Sequence, residues 1–377
     1  MEEKDYLQVI VNCSMDEEKE REIKKYGRLK YRLPMINSYV VEISKEYIEQ
    51  LTKIEGVEKV ERDTSITAQM NVARKIVKAD EVNRQGYYGR GIGVAILDTG
   101  IYPHDDFIVP YNRIIVFKDF VNNKIDYYDD NGHGTHVAGI ISGNGIKSRG
   151  KYRGIAPESE IIVVKVLNDK GSGNISDVLA GIQWVIDNKQ RYNIRIMNLS
   201  VGSKDEEGEK AALVRGVDAA WDGGIVVVAA AGNGGPENQT ITTPGISRKV
   251  ITVGSSDDEK SVDISGDCIS NYSGRGPTKQ CIKKPDVVAP GANILSCSCI
   301  EKIKGEDEDG AEVWYEPKSG TSMATPIVSG AIALLLEKNP NLRPNDIKLK
   351  LKDSTIDLAF DQRQQGWGLI NVEKLTK

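Results

Sequence analysis

The chain has 377 residues, of which 39% are hydrophobic and 28% are charged, and its formal net charge is −5 at pH 7. Its mean hydropathy is −0.38, and its apolar runs are far shorter than the roughly 20 residues of a membrane-spanning helix, so composition argues against a membrane protein. Acidic and basic residues are interspersed, which argues against a nucleic-acid-binding protein. The length allows one large domain and one small one.

The N-terminus and the cysteines both predict a cytoplasmic protein. The chain begins with MEEKD, whereas a secretory signal has a basic stretch followed by about 7–15 apolar residues. The five cysteines are an odd number, and Cys297 and Cys299 are too close in sequence for an ordinary disulfide framework. A zinc site built with Cys268 and Cys281 is the alternative. We favour reduced structural thiols because no CxxC pair and no nearby histidine accompany them.

The first 66 residues predict a small α+β domain, in which helices cover one face of an antiparallel sheet. This segment is rich in Glu and Lys and lacks a long glycine-rich loop. Residues 67–84 are predicted to connect it to the rest of the chain. The predicted elements of the small domain are strands at 6–13, 37–43 and 57–62 and helices at 17–26 and 45–54.

Residues 85–377 predict an α/β domain with a mostly parallel central sheet. Short β-branched runs alternate with helical segments, and such runs are typical of strands that are covered on both faces. Ligands of such folds bind at the carboxyl ends of the strands. The polar stretch 301–318 is predicted to be a surface insertion. The predicted strands are 93–97, 161–167, 194–199, 225–230 and 250–253, and the predicted helices are 133–142, 175–188, 209–223 and 322–338.

The strand ends and the histidines supply two candidate catalytic residues. Strand 93–97 is followed by Asp98, and a buried carboxylate is costly unless it has a partner such as an imidazole N–H. His133 lies between two glycines at the start of a predicted helix, where a substrate backbone has room to approach a general base. The alternatives are an aspartate that caps the following turn and a histidine with a structural hydrogen bond.

Two further candidates lie where a helix begins and where a strand ends. Ser322 precedes an apolar helical run with Pro326 in its first turn, so its hydroxyl lies at a helix N-terminus, which favours negative charge. Asn233 follows strand 225–230 among glycines, and its amide could donate to a developing oxyanion. An ordinary N-cap serine and a turn asparagine are the alternatives.

Taken together, these segments resemble the subtilisin-like serine peptidase family, and specifically its intracellular bacterial type. The resemblance covers residues 85–372, and the candidates occur in the order Asp, His, Ser that is known for subtilisin. It implies a subtilisin-like three-layer α/β fold. The matching segments are 97–100, 133–139, 230–233 and 320–326, supported by 272–277, 284–291 and 366–371.

The resemblance implies a serine endopeptidase that works through an acyl-enzyme on protein or peptide substrates. Ser322 would be the nucleophile, His133 the general base and then acid, and Asp98 the residue that orients His133. Asn233 and the Ser322 N–H would form the oxyanion hole. The chemistry would need no cofactor.

The resemblance also implies where the substrate lies. Segment 199–202 would pair with the substrate main chain and form a wall of the P1 pocket, and segment 230–232 would line its other side. Small side chains leave this pocket open and no acidic residue is assigned to it, so the expectation is broad specificity with a large apolar P1. The expected substrate-binding residues are Ser200, Val201, Gly202, Ala230 and Gly232.

The resemblance also implies a structural calcium ion. The family often binds one between an Asp that follows the catalytic aspartate and a loop after the histidine helix. Asp106 matches that position. The loop 143–151 is longer and more basic than a calcium loop, which opposes binding at this site.

Residues 5–66 resemble the family's inhibitor-like propeptide, especially at 37–42 and 57–63. This implies that the N-terminal domain acts as intramolecular chaperone and inhibitor, with a tail at 63–69 that lies through the active site. Self-cleavage is expected at residues 64–70. A merely stabilising N-terminal extension is the alternative.

Two other classes of function were weighed. Glycines at 89–93 superficially resemble a dinucleotide-binding fingerprint, but they precede the strand, whereas phosphate binding needs them after it. A non-catalytic relative that serves as a scaffold would be expected to lack a member of the triad, and none is missing here.

Overall fold

The computed structural model describes residues 6–34, 37–62, 70–203, 208–258, 262–299 and 314–377. The chain divides into two compact units, Met1–Thr67 and Ala68–Lys377. Among the described residues, none of the helices combines the length and the apolar character that a bilayer crossing requires.

The N-terminal unit is built on an antiparallel sheet of four strands in the order β2-β3-β1-β4. Val9 and Val11 alternate with less buried residues along β1, and they pack with Ile23 and Leu51 into a small core. The unit therefore has a hydrophobic core of its own. Its elements are β1 (Tyr6–Cys13), α1 (Glu17–Ile23), β2 (Gly27–Leu33), β3 (Ser38–Ser44), α2 (Ile48–Leu51) and β4 (Val57–Arg62).

The larger unit contains an eight-stranded sheet whose order is β11-β10-β9-β8-β5-β7-β6, with β12 also paired to β10. All these pairings are parallel except that of β11 with β10. The mostly parallel α/β sheet expected from the sequence is therefore confirmed. The strands are β5 (Gly93–Asp98), β6 (Ile114–Asp119), β7 (Glu160–Lys165), β8 (Ile194–Leu199), β9 (Val226–Ala230), β10 (Ile251–Asp257), β11 (Cys268–Ile269) and β12 (Val287–Pro290).

Helices cover this sheet, and every residue of β9 is buried, so both of its faces are covered. One pair, α6 and α9, packs together, and α9 lies against β8, β9 and β10; a second pair, α7 and α8, contacts β5 and β9. The helices of this unit are α3 (Met70–Ile76), α4 (Ala79–Arg84), α5 (Asp105–Ile108), α6 (His133–Ser142), α7 (Ile175–Asn188), α8 (Ala212–Asp222), α9 (Thr321–Lys338), α10 (Pro344–Ser354), α11 (Gln362–Gln365) and α12 (Val372–Leu375).

The segment predicted to connect the two domains contributes to the core of the larger unit. Its residues 70–84 form α3 and α4, whose Val72, Ile76 and Val82 belong to the main hydrophobic cluster. The Arg74 guanidinium is also buried and donates to Asn83 Oδ1 at 2.8 Å. These two helices are therefore part of the packed structure of the larger unit.

Part of the predicted surface insertion is a strand. β14 (Tyr315–Lys318) pairs antiparallel with β13 (Ile294–Cys297), and the two form a separate two-stranded sheet. The remainder of the insertion, residues 301–313, lies outside the described residues. The hairpin therefore ends just before α9, the helix that carries Ser322.

Candidate active site

The carboxyl end of β5 brings Asp98 against the imidazole of His133. Asp98 is fully buried, and its Oδ1 accepts hydrogen bonds from the Thr99 backbone N–H and from His133 Nδ1, each at 2.7 Å. With the Nδ1 proton directed at the carboxylate, Nε2 is the basic nitrogen. The aspartate therefore sets the tautomer that a general base requires.

His133 is the first residue of α6, and it follows Gly132, which has a φ of 94°. This left-handed conformation suits glycine and turns the chain into the helix at the edge of the groove. The His133 side chain is 24% exposed. Burial lowers the pKa of His133, but the Asp98 carboxylate raises it by more, so that pKa lies above the ordinary 6.5. The imidazolium is therefore stabilised whenever it forms.

Ser322 lies at the second position of α9 and shares a groove of about 540 Å³ with His133. Its hydroxyl donates to the Ser200 carbonyl at 3.0 Å, and the Ser200 hydroxyl donates back to the Ser322 carbonyl at 3.0 Å. In this conformation, the Ser322 hydroxyl therefore points to Ser200, the residue that directly follows β8. A rotation about the Ser322 Cα–Cβ bond changes the direction of the O–H.

Asn233 is held against the start of α9 by its side-chain oxygen. Asn233 Oδ1 accepts from the Thr321 backbone N–H at 3.0 Å and from Thr321 Oγ1 at 2.9 Å. The amide nitrogen consequently faces the other way, toward Gly320. A β-carbon added to Gly320 would lie 3.2 Å from Asn233 Nδ2 and 3.7 Å from the Ser322 backbone nitrogen. Two N–H donors therefore border one small space, as an oxyanion hole requires.

The structure brings three of the five predicted substrate-binding residues to the groove. Ser200, Val201 and Gly202 line the groove together with His133 and Ser322. Ala230 is buried at the end of β9, and Gly232, two residues later, has a φ of 94°; neither is among the described residues that line the groove.

Thr242 lies between Gly202, which lines the groove, and Gly232. A β-carbon added to Gly202 would come within 2.3 Å of Thr242 Oγ1, and one added to Gly232 within 2.6 Å of Thr242 Cγ2. The threonine side chain therefore contacts both glycines, and any side chain larger than hydrogen at either position would displace it. Nothing in the sequence analysis drew attention to Thr242.

A further wall of the groove was not predicted from the sequence. It follows β7 at the carboxyl edge of the sheet, which is where ligands of parallel sheets bind. The glycines flanking Ser172, placed between a predicted strand and a predicted helix, were the available signal. The groove residues that the sequence did not predict are Thr99, Asn131, Leu167, Lys170, Gly171, Ser172, Gly173, Ile175, Val178, Ser203 and Leu213.

The Asp106 carboxylate lies in a separate cluster, and its surroundings do not fit calcium. The carboxylate is fully buried and accepts from the backbone N–H groups of Gly145 and Lys147 at 3.0 and 3.1 Å, and from the Tyr315 hydroxyl at 2.9 Å. Calcium needs six to eight oxygen ligands, whereas these neighbours are hydrogen-bond donors. These donors do not favour calcium, but His104, Asp106 and Cys297 offer ligand atoms within 4.8 Å of one another, so a metal at Asp106 stays a prediction.

The two other histidines are buried and form hydrogen bonds away from the groove. His104 Nε2 donates to the Trp314 carbonyl, and Nδ1 accepts from the Asp106 backbone N–H at 3.0 Å. His136 Nε2 lies 3.0 Å from the carbonyl oxygens of Ile294 and Glu316, and burial lowers the pKa of His136 to about 3. Among the described residues, His133 is therefore the histidine that faces the groove.

Comparisons with known proteins agree with this geometry. The subtilase family profile matches residues 89–368. Serine protease AprX of Bacillus subtilis is 42% identical over 93% of this chain and 81% of that protein, and subtilisin DY of Bacillus licheniformis is 35% identical over 79% and 95%. The crystal structure of a cold adapted subtilisin-like serine proteinase aligns with a TM-score of 0.59 at 31% identity, over 76% of this chain and 90% of that one. The chain therefore has the subtilisin-like fold, belongs to the subtilase family and is a serine endopeptidase.

Proposed function

We propose that this endopeptidase uses Ser322 as the nucleophile, His133 as the general base and acid, and Asp98 as the residue that orients His133. The observation that carries the proposal is the 2.7 Å contact between Asp98 Oδ1 and His133 Nδ1, made beside the groove that Ser322 lines. An ionised carboxylate behind the imidazole, and a hydroxyl in front of it, are what acyl transfer needs.

The reaction begins when the Ser322 hydroxyl leaves the Ser200 carbonyl and turns toward His133 Nε2. Its oxygen bonds to the scissile carbonyl carbon while its proton passes to Nε2. The carbonyl oxygen becomes an oxyanion, which the Asn233 amide and the Ser322 N–H stabilise. The imidazolium then protonates the leaving amine as the C–N bond breaks. Water repeats the sequence on the acyl-enzyme, and Ser322 is restored.

The proposed substrate class is polypeptides with a large apolar P1 side chain. Gly202, Gly232 and Ala230 are small residues and would leave room for a large side chain in the proposed pocket. None of the described residues that line the groove is acidic, so nothing there favours a P1 lysine or arginine. Thr242 touches both glycines and is the side chain that would set the depth of the pocket.

The N-terminal domain is proposed to act as an intramolecular chaperone and inhibitor. Its antiparallel sheet, two helices and separate core support an independent folding unit, and its sequence resembles the family's inhibitor-like propeptide. Both the predicted cleavage site at 64–70 and the tail at 63–69 fall almost entirely outside the described residues. We keep the predicted division into 1–66, 67–84 and 85–377 as the processing scheme, with α3 and α4 remaining on the enzyme.

Mass spectrometry of the purified full-length chain tests this scheme. The native chain should be cut between residues 64 and 70, and Ser322→Ala should stay intact at 377 residues. Adding the separate 1–66 fragment to the processed enzyme should inhibit it. Full activity of an uncut chain would instead support a stabilising extension.

The proposed location is the cytoplasm, and the proposed chemistry uses side chains and water alone. All five cysteines lie in the described part of the chain, and no disulfide joins any two of them. That arrangement suits a reducing compartment. A structural calcium ion away from Asp106 stays a prediction.

A fluorophosphonate probe tests the triad directly. It should label Ser322 in the native protein, and labelling should vanish in Ser322→Ala. Ser319→Ala is the matched control, because Ser319 is an exposed serine three residues earlier whose hydroxyl accepts from Asn293 N–H. Labelling that survives Ser322→Ala would contradict the assignment. A peptide library digested by the same preparation would report the P1 preference.

A further inference from the structure

A buried ammonium group lies next to the catalytic aspartate. Lys165 is the last residue of β7 and is paired with Asp98 in the parallel register of β5 and β7. Its side chain is fully buried, although the strand is otherwise rich in apolar residues. A lysine in such a place is unfavourable unless its charge and all its N–H donors have partners.

Each of the three N–H donors of Lys165 has an acceptor, and each acceptor belongs to a different segment. The ammonium donates to the Thr99 carbonyl, to the Leu167 carbonyl at 2.9 Å and to Asp130 Oδ1 at 2.7 Å. An ammonium offers three donors, so none is left over. The Tyr128 ring lies beside it, with its centroid 4.8 Å from Nζ.

The three acceptors flank the parts of the active site. Thr99 follows Asp98 directly, Asp130 precedes His133 by three residues, and Leu167 lines the substrate groove. One ammonium therefore joins the turn that carries the aspartate, the loop that leads to the histidine, and a wall of the groove. None of these three acceptor groups takes part in the backbone hydrogen bonds that join the strands of the sheet.

A second connection between the same two segments runs through Asp129. Its Oδ1 accepts from Thr99 Oγ1 at 2.8 Å, and its Oδ2 accepts from Thr135 Oγ1 at 2.6 Å. Thr99 Oγ1 in turn accepts from the Gly134 backbone N–H at 2.9 Å. The turn after Asp98 and the start of α6 are consequently held together on both sides of His133.

We infer that Lys165 is a positioning residue, which fixes the separation of Asp98 and His133 by holding Thr99 and Asp130 at one point. The inference rests on the proposed roles of Asp98, His133 and Ser322. An apolar side chain of similar length would fill the same space without the cost of burying a charge, and such replacements are often neutral for stability. An apolar side chain could not hydrogen-bond to the neighbouring loops, whereas the Lys165 ammonium holds two of them at the end of β7.

Asp130→Ala decides the question, because Asp130 is partly exposed and its loss removes one bond without emptying the core. We expect kcat, counted per titrated active site, to fall while KM changes little, and Ser322 to react more slowly with a small fluorophosphonate. Asp130→Asn keeps an oxygen acceptor and should retain most of kcat. Asp126→Ala, an exposed carboxylate in the same loop, is the control and should behave like the native chain.

Lys165→Met removes all three bonds and should lower kcat by about 10²-fold, the size expected for a displacement of about 1 Å in a reacting group. If this variant does not fold, Asp130→Ala still decides. A folded Asp130→Ala with kcat within twofold of the native value would overturn the inference, and so would Asp130→Asn as slow as Asp130→Ala. A native chain that is not labelled at Ser322 would instead overturn the proposed function.

Discussion

Removal of the Asn233 side chain should lower kcat without much effect on substrate binding. The two donors that border the space at Gly320 are Asn233 Nδ2 and the Ser322 N–H, so Asn233→Ala removes one of two. Loss of one oxyanion donor costs about 10²–10³ in kcat, or roughly 2.7–4 kcal/mol at about 1.36 kcal/mol per tenfold change. KM should stay within about threefold, because the negative charge develops only in the transition state.

The assay is the hydrolysis of a chromogenic peptide, with kcat counted per titrated active site. Asn122→Ala, an exposed asparagine, is the control and should match the native enzyme. Thr321→Val removes the hydroxyl that donates to Asn233 Oδ1 at 2.9 Å and should give a smaller loss in the same direction. An Asn233→Ala enzyme with kcat within tenfold of native, or one in which KM alone rises, would refute the assignment.

Three further changes test other parts of the structure. Lys318→Met should raise the pKa of His133, because the Lys318 charge lowers it; the acid limb of kcat/KM, where His133 must be neutral, should then move to higher pH. Thr242→Gly should deepen the P1 pocket and improve kcat/KM for aromatic over small P1 residues by at least about tenfold. Tyr315→Phe should destabilise the fold by about 1–3 kcal/mol, because the buried Asp106 carboxylate loses a donor, and added calcium should not restore the stability.

Each of these predictions has a control and a contrary outcome. Lys350→Met, a change on α10, should leave the pH profile unchanged; equal shifts in both lysine variants would mean that overall charge is responsible. An unchanged P1 profile in Thr242→Gly would contradict the placement of that side chain in the pocket. Tyr152→Phe is the control for Tyr315, and full recovery of Tyr315→Phe by calcium alone would show that a cation can bind at Asp106.

The elements that the sequence predicted best have a clear apolar pattern. Strand β8 and helices α6 and α7 have the bounds expected from their patterns, because a continuous β-branched run or an apolar period of 3.6 leaves few alternatives. Of the strands that were missed, β2 and β6 are partly exposed, whereas β12 is buried throughout. In β2, the residues Gly27–Leu33 are mostly exposed, and the alternation of Leu29, Tyr31 and Leu33 with three basic side chains is a strand signal that the prediction missed. In β6, only the first and last residues are buried.

The residues of the site likewise divide into those that a local sequence pattern identifies and those that it does not. Asp98, His133, Ser322 and Asn233 lie at the ends of strands or the starts of helices, positions that local patterns identify. The surroundings of Asp106 could not be read in this way, because its hydroxyl donor, Tyr315, is 209 positions away and lies in a stretch that looked like a polar insertion. Contacts of this kind depend on how a hairpin packs, and local sequence carries no record of it.

Lys165 is an intermediate case. The sequence did not lead us to predict a role for it, although its surroundings in the chain contain a signal. The run 161–167 reads as a strand covered on both faces, and Lys165 is its one charged residue. A charge in such a strand cannot reach solvent and must find acceptors beyond the strand's end, where the loops of a parallel sheet meet. Because the active site lies at that same edge, a lone buried cation there points to the loops that hold the reacting groups. Its partners, Thr99 and Asp130, are 66 and 35 residues away, so the sequence could indicate that a tether exists while only the fold identifies what it ties.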